Sequence, residues 1–486
     1  MLTSEAAPWA KTGGLGDVLG ALPPALADLG VDVTVMLPGF RAARAAAGPC
    51  EHLGRVHAPV SSRMEPVDVL RVLHAPVRTL LLDAPKYFDR AELYGTRDGD
   101  YADNAERFVV FTRAALEWLR GARPAPTILH VHDWQAALAP AFLRAGADLY
   151  PELQAVRTVC TIHNLAYQGR FWALDWHLLN LDARWFTPPW LEFWGDIDFL
   201  KAGLVFSDAV TTVSPRYARE IQTPELGEGL DGVLRARADR LTGIVNGIDY
   251  RVWNPARDPH LPARYDVDRL DGKARCKAAL QEELGLARDA VAPLLAVITR
   301  LASQKGMDLL LGVVPPLLAA SDAQLAVLGS GDPRLERAFQ ALQAHVPGRV
   351  AVRLRFDEGL AHRMQGGADC FLMPSRYEPC GLAQLYALRY GTVPIVHATG
   401  GLDDTVAEFE PATGQGTGFK FGAWRPDALR AAIHRALAIR IDERLWTRLR
   451  RNGMAVDSSW ARSARAYYAL YARVAAEPPY LPTVPG

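Results

Sequence analysis

The sequence predicts an α/β protein of two doubly wound, Rossmann-like domains facing each other across a deep interdomain cleft. Three observations predict it. A chain of 486 residues is too long for a single hydrophobic core. Short apolar runs alternate with amphipathic helical patterns throughout, the pattern of largely parallel sheets. The chemically unusual residues fall just after the apolar runs, at the carboxyl edge of each sheet, where open α/β sheets bind ligands.

From the N-terminus, Leu2-Thr3-Ser4 reads as the end of a shortened strand. The turn from Lys11 to Asp17, a helix to Leu29 and a strand from Val31 to Leu37 complete a βαβ opening. Adjacent glycines in Lys11-Thr12-Gly13-Gly14 let backbone amides approach an anion, or they serve packing alone. The lysine precedes the glycines, so this is no Walker loop, and the spacing makes a poor dinucleotide fingerprint. A strand from Val77 to Leu82 and an amphipathic helix from Asn104 to Leu119 follow. The strand Thr127 to Val131 ends in His132-Asp133-Trp134, and Thr158 to Ile162 ends in His163-Asn164. Those residues suit an acid/base pair or a structural histidine. Zinc would want more ligands at tighter spacing, so no metal site is expected. Trp9, Trp134, Trp172 and Trp176, with Tyr167 and Phe171, offer either sugar-stacking faces or core. Ala209 to Val213 and Gly243 to Val245 are the last strands of a first domain spanning 1–247.

The segment 248–270 has three prolines, many charges and little periodicity, and reads as the interdomain linker. A second domain, 271–459, opens with the helix Lys273 to Leu284. Strands follow from Leu294 to Ile298, Gln324 to Leu328, Arg349 to Leu354, Cys370 to Met373 and Val393 to Val396. Arg300 and Lys305 follow the first of these. Two cations on one sheet-edge loop suit a diphosphate that gains charge as a bond breaks, or are solvated surface charges. Gly329-Ser330-Gly331-Asp332 is a further turn, with Asp332 or Ser330 as a cap. After Met373, the turn Arg376 to Gly381 runs into a helix from Leu382 to Arg389, closed by Gly391. Such a turn aims helix-end amides at the sheet edge, a ready anion site. Glu378 would repel a phosphate there, so it is expected to accept hydrogen bonds from neighbouring hydroxyls, as in a sugar-nucleotide site. An ordinary βα turn with a solvated glutamate is the alternative. The tail 460–486 carries an aromatic-rich helix, expected to cross back to the first domain.

Composition excludes several classes. Lys plus Arg and Asp plus Glu balance at 54 each, so neither nucleic acid nor a membrane surface is expected as partner. No apolar run approaches the ~20 residues of a membrane span. Ser4 and Glu5 so close to Met1 argue against a secretory leader. Five scattered cysteines without a CxxC pair point to a reducing cytoplasm. G-x-S-x-G and H-E-x-x-H are both missing.

The ordered motifs SEAAPWAKTGGLGDVLGALP, HVHDWQAAL, TIHNLAYQG, VNGID, ITRLASQKG, GGADCFLMPSRYEPCGLAQLYALRYGTVPIV and TGGLDDTV together resemble the bacterial glycogen synthases and plant starch synthases. These are ADP-glucose-dependent retaining glucosyltransferases of the GT-B fold, and the resemblance covers nearly the whole chain. It implies transfer of glucose from ADP-glucose to the non-reducing 4-hydroxyl of an α-1,4-glucan, with no cofactor and no metal. It implies that Lys11 binds the donor, with Gly13 and Gly14 near its distal phosphate and Asp17 in the same loop. Arg300 and Lys305 would clamp the diphosphate. Glu378 would hold the glucose hydroxyls, with Cys380, Gly381 and Leu382 beside the phosphate. His163 would stand near the anomeric carbon, and Asp133 and Asn246 would line the cleft. Phe356 falls where the family often carries a tyrosine at the adenine; it keeps the ring and loses the hydroxyl. Retention would proceed by attack from the leaving-group face, a diphosphate oxygen taking the acceptor's proton. Use of UDP-glucose, or a non-catalytic glucan-binding role, are the rival readings.

Overall fold

The computed structural model describes residues 1–96 and 99–480. The chain forms two units: Met1–Ile244 with Trp460–Gly486, and Val245–Ser459.

Unit 1 opens with helix α1 (Gly14–Ala27), which buries Leu15, Val18, Leu19, Leu22 and Leu26, one face at helical spacing. Apart from the short pair Gly95–Thr96 and Gly99–Asp100, its strands in chain order are β1 (Thr34–Pro38), β2 (Cys50–Val60), β3 (Arg63–Val72), β4 (Arg78–Asp83), β5 (Ile128–His132), β6 (Arg157–Ile162), β7 (Arg170–Phe171), β8 (Glu192–Phe193), β9 (Asp196–Asp198), β10 (Ala209–Thr212) and β11 (Leu241–Gly243). One set pairs in the order β1-β4-β3-β2 and another in the order β11-β10-β6-β5. Leu2 joins them, bridging to Val131 and Met36, so the shortened first strand is a one-residue link between two sheet halves. The β11-β10-β6-β5 half is parallel, as expected. The antiparallel hairpin β2–β3 was not expected. Its strands are rich in His, Arg and Glu, carry Pro59 and Pro66, and turn at Ser61-Ser62 without an Asn-Gly signal.

Helix α2 (Asn104–Arg120) is nearly all buried over its first three turns, because Arg107 and Arg113 spend their guanidinium donors on carbonyls and side chains inside the unit. The C-terminal helix, Trp460–Ala476, buries Trp460, Ala464, Tyr467, Leu470 and Val474 along one face and packs on α1. Tyr471 OH and His130 Nδ1 are 2.6 Å apart, which ties this helix to β5.

Unit 2 holds one parallel sheet of β12 (Leu294–Ile298), β13 (Gln324–Leu328), β14 (Val350–Arg353), β15 (Cys370–Met373), β16 (Val393–His397) and β17 (Phe419–Phe421). The order is β14-β13-β12-β15-β16-β17, the doubly wound arrangement whose direction of winding reverses between β12 and β15. The segment 248–270, expected as a linker, is built into this unit. Trp253 lies stacked between His362 and Tyr386, 3.8 Å from each ring. Buried Asp258 pairs with His362 Nδ1 at 2.7 Å and accepts from Tyr390 OH. The prolines rule out regular structure there, and these anchors hold the irregular path. Helix α3 (Asp271–Leu284) follows. No helix among the described residues is long and apolar enough to cross a membrane.

Candidate functional site

In unit 2 the loops after β12 and β15 flank the point where the winding reverses. They are stitched backbone to backbone: Arg376 N donates to Gln304 O at 2.8 Å. Gly306 makes the approach possible. It sits at φ 71°, and a Cβ there would come within 2.0 Å of Pro374 O. Gly306→Ala is therefore expected to push the two loops apart, lowering the unfolding midpoint by several degrees and turnover with it. Thermal denaturation beside an ADP-release assay checks this, and an unaltered midpoint would refute it.

That approach brings Lys305 Nζ to 2.6 Å from Glu378 Oε2. Ser375 Oγ donates to the same oxygen at 3.0 Å. Glu378 is only 6% exposed. Among the described residues no donor meets its Oε1, so one carboxylate oxygen is held by the protein and the other can accept from a ligand hydroxyl. Glu378 thus meets a neighbouring hydroxyl, as expected, and in addition a cation that was expected only at the diphosphate. Arg300 stands exposed on the same loop, with Gln304 Oε1 at 3.3 Å and, among the described residues, no carboxylate partner.

Asn246 belongs to unit 2 and is buried. Its backbone N–H faces the Cys380 thiol, and its Oδ1 has no partner among the described residues. Burial pushes that thiol up to about 12, so Cys380 is a neutral group and not a nucleophile. Gly381, at φ 71°, and Leu382 lead into helix α4 (Ala383–Arg389). Phe356 is 84% exposed on the loop after β14. Asp332, one of the two expected cap residues, caps its helix by accepting from Arg334 N.

In unit 1 the Lys11 loop differs in detail from expectation. Thr12 N and Gly13 N, the latter from the glycine pair expected to approach an anion, donate to Glu5 Oε2 at 2.6 and 3.3 Å. Thr12 Oγ1 and Tyr94 OH donate to Oε1 at 2.6 and 2.9 Å. The loop is an anion nest that the chain's own buried Glu5 fills. Sequence reasoning missed Glu5, because nothing in its spacing from the glycines marks it. Gly14 starts α1. Lys11 Nζ pairs with Asp17 Oδ1 at 2.6 Å, both partly exposed.

Asp133 and His163 do come together, as the parallel register of β5 and β6 requires. Asp133 adopts φ 55°, and its Oδ1 accepts from His163 N at 2.7 Å. Burial raises the Asp133 carboxyl to about 7, against the opposing pull of the His163 and Asn164 amides. Burial lowers His163 to about 3, so its ring is neutral at working pH. His163 Nε2 lies 3.1 Å from His132 Nδ1. His130 and His132 are likewise held well below the usual histidine range by burial. Trp9 and Trp134 are core, whereas Trp172 and Tyr167 are exposed.

Comparison with known proteins is consistent across the chain. The family described as "Starch synthase catalytic domain" matches residues 1–236, and "Glycosyl transferases group 1" matches residues 286–454. A glycogen synthase of Anaeromyxobacter dehalogenans is 51% identical over 98% of this chain and 99% of its own length. One from Myxococcus xanthus is 48% identical over 98% and 99%. The catalytic domain of starch synthase IV from Arabidopsis thaliana, solved with ADP and acarbose, superposes with a TM-score of 0.90 at 34% identity, over 98% of this chain and 99% of that one. Sucrose-phosphate synthase from Thermosynechococcus elongatus shares the fold, with a TM-score of 0.60 at 19% identity. With relatives of this identity along its full length, the chain belongs to the glycogen synthase and starch synthase family of GT-B glycosyltransferases.

Proposed function

We propose that this protein transfers glucose from ADP-glucose to the non-reducing 4-hydroxyl of an α-1,4-glucan, retaining the anomeric configuration and releasing ADP. The observation that carries the reading is the Lys305–Glu378 pair where the winding of the second sheet reverses, with Arg300 on the same loop. Glu378 Oε1 accepts from glucose hydroxyls while Lys305 and Arg300 meet the charge that grows on the departing diphosphate. Gly381 and Leu382 add backbone amides at the start of α4, and exposed Phe356 offers the adenine a ring to stack on. From unit 1, Lys11 contributes a further cation, and the neutral ring of His163 a hydrogen-bonding group beside the anomeric carbon. Departing ADP takes the acceptor's proton, so no protein base is invoked. Five unpaired cysteines support a cytoplasmic setting.

The test is a donor panel of ADP-, UDP- and GDP-glucose with glycogen as acceptor. ADP-glucose is expected to lead by about tenfold or more in kcat/KM, since a nucleobase pocket discriminates through groups left unpaired by the wrong base. A lead for UDP-glucose would overturn the donor assignment. Because arginine and lysine meet the diphosphate, excess chelator is expected to leave the rate undiminished. A chelator-sensitive rate would place the chemistry in another transferase class.

A further inference from the structure

His132 stands directly behind His163, yet nothing in the transfer scheme above uses it. It ends β5 and pairs with Thr161 of β6, two positions before His163. That register brings the two rings together: His132 Nδ1 and His163 Nε2 are 3.1 Å apart. His132 is fully buried, and among the described residues no group meets its Nε2. Its ring is also held from the other side. The His130 ring lies 4.0 Å away, tilted by 36°. Both nitrogens of His130 are spent, Nδ1 on Tyr471 OH and Nε2 on Thr161 Oγ1, each at 2.6 Å. His130 therefore has no nitrogen left for His132 and serves it as a wall. The backbone of His163 is fixed separately, its N–H donating to Asp133 Oδ1 at 2.7 Å.

The positions of the protons follow from this packing. Burial keeps both rings neutral, so each has one N–H and one lone pair. The 3.1 Å contact needs one of each, which leaves two arrangements. If His163 Nε2 donated, His132 would keep its own proton on Nε2, a buried N–H with no acceptor among the described residues. If His132 Nδ1 donates, only a lone pair is left bare at that Nε2. Orphaned N–H groups are the rarer and costlier of the two inside proteins. His132 is therefore the donor, and His163 carries its proton on Nδ1. A free histidine side chain prefers Nε2, so His163 is held in its less favoured tautomer. In a neutral imidazole the bond made by one nitrogen decides what the other can do. His163 is half-buried, and among the described residues nothing pairs with its Nδ1, so that N–H is available to a ligand oxygen.

We propose that His132 is a positioning residue: it holds His163 with its proton on Nδ1, so that the ring offers the bound hexose a hydrogen-bond donor and not an acceptor. The proposal rests on the reading above that sets His163 beside the anomeric carbon. Nitrogen-15 NMR of the full chain labelled at histidine reads the tautomer directly, with H163F identifying the His163 signals. In the wild type, Nδ1 of His163 is expected to carry the proton. H132F keeps an aromatic ring against His130 and removes the donor. In that variant the proton is expected to move to Nε2, and kcat to fall about tenfold or more with little change in KM for the nucleotide sugar, as loss of a supporting hydrogen bond implies. H132N places an amide N–H where Nδ1 stood, and is expected to restore the tautomer and most of the turnover. A wild-type His163 protonated on Nε2 overturns the proposal, whether or not H132F folds. So does an H132F protein whose His163 keeps its proton on Nδ1, and so does H132N as slow as H132F. Wild-type turnover in H163F, with the tautomer still following residue 132, would instead take His163 away from the sugar and overturn the reading on which the proposal rests. Should ADP-glucose fail as donor while the tautomer and the turnover with another nucleotide sugar still follow residue 132, only the donor assignment falls.

Discussion

Lys305→Ala is expected to cut turnover on the order of 10²–10³-fold and to cost stability as well. Both effects come from one contact. Lys305 Nζ supplies charge to the leaving diphosphate, and it also neutralises Glu378 at 2.6 Å. Removing it leaves a buried carboxylate held by the Ser375 hydroxyl. Breaking a fully buried pair costs about 3–5 kcal/mol. The lysine end keeps 21% exposure, so solvent screening brings this to roughly 1–3 kcal/mol. A unit of this size then melts several degrees lower. Glu378→Gln separates the two effects. It preserves shape and an acceptor oxygen, so it is expected to melt near wild type while losing turnover to a similar degree. Adding Glu378→Gln to Lys305→Ala should recover stability without recovering turnover. Calorimetry and ADP release on the three variants decide the matter. Lys305→Ala with turnover within tenfold of wild type would remove Lys305 from the chemistry.

Asp133→Asn is expected to stabilise the protein at pH 8 and to lose that advantage towards pH 4. The folded carboxyl sits at about 7, above the ordinary range near 4. The folded state therefore holds its proton where the unfolded state has lost it, and stability falls as pH rises from about 4 to 7. Above 7 the full penalty is present. Asp133 keeps some solvent contact, so the penalty is roughly 2–4 kcal/mol at most. Asparagine isolates the charge: it tolerates φ 55° and still accepts from His163 N. The three buried histidines work in the opposite direction, destabilising unit 1 as pH drops below about 6.5. They are common to both proteins and cancel in the difference. Denaturant midpoints of wild type and variant at pH 5 and pH 8 measure it, and a gap independent of pH would rule out a buried, shifted Asp133. If the charge also steers the acceptor, turnover should fall at pH 8 in the same variant.

The parallel strands were legible because each is a short apolar run ending in a polar turn. Leu294–Ile298, Gln324–Leu328 and Cys370–Met373 coincide with their expected limits. The hairpin at 50–72 was not legible, since strands with polar residues on both faces have no apolar period to read. Loop residues after strands could be chosen as site candidates, but not their partners. Lys305 and Glu378 are 73 positions apart in sequence, and it is the close passage of Gly306 over Pro374, beside the Arg376–Gln304 backbone bond, that brings them together. Glu5 was hidden for the opposite reason: it is local, but what it holds depends on a loop conformation that spacing does not specify.

Unit 1 takes its polypeptide from both ends of the chain, whereas unit 2 is one uninterrupted stretch. A ribosome therefore delivers all of unit 2 before the helix that completes the core of unit 1 has been made. During synthesis the faces of α1 and β5 that await Tyr467, Leu470 and Tyr471 stay uncovered while the second half of the chain folds. Translation order thus leaves unit 1 in the care of chaperones the longer, and arrested nascent chains lacking 460–476 should be the protease-sensitive species.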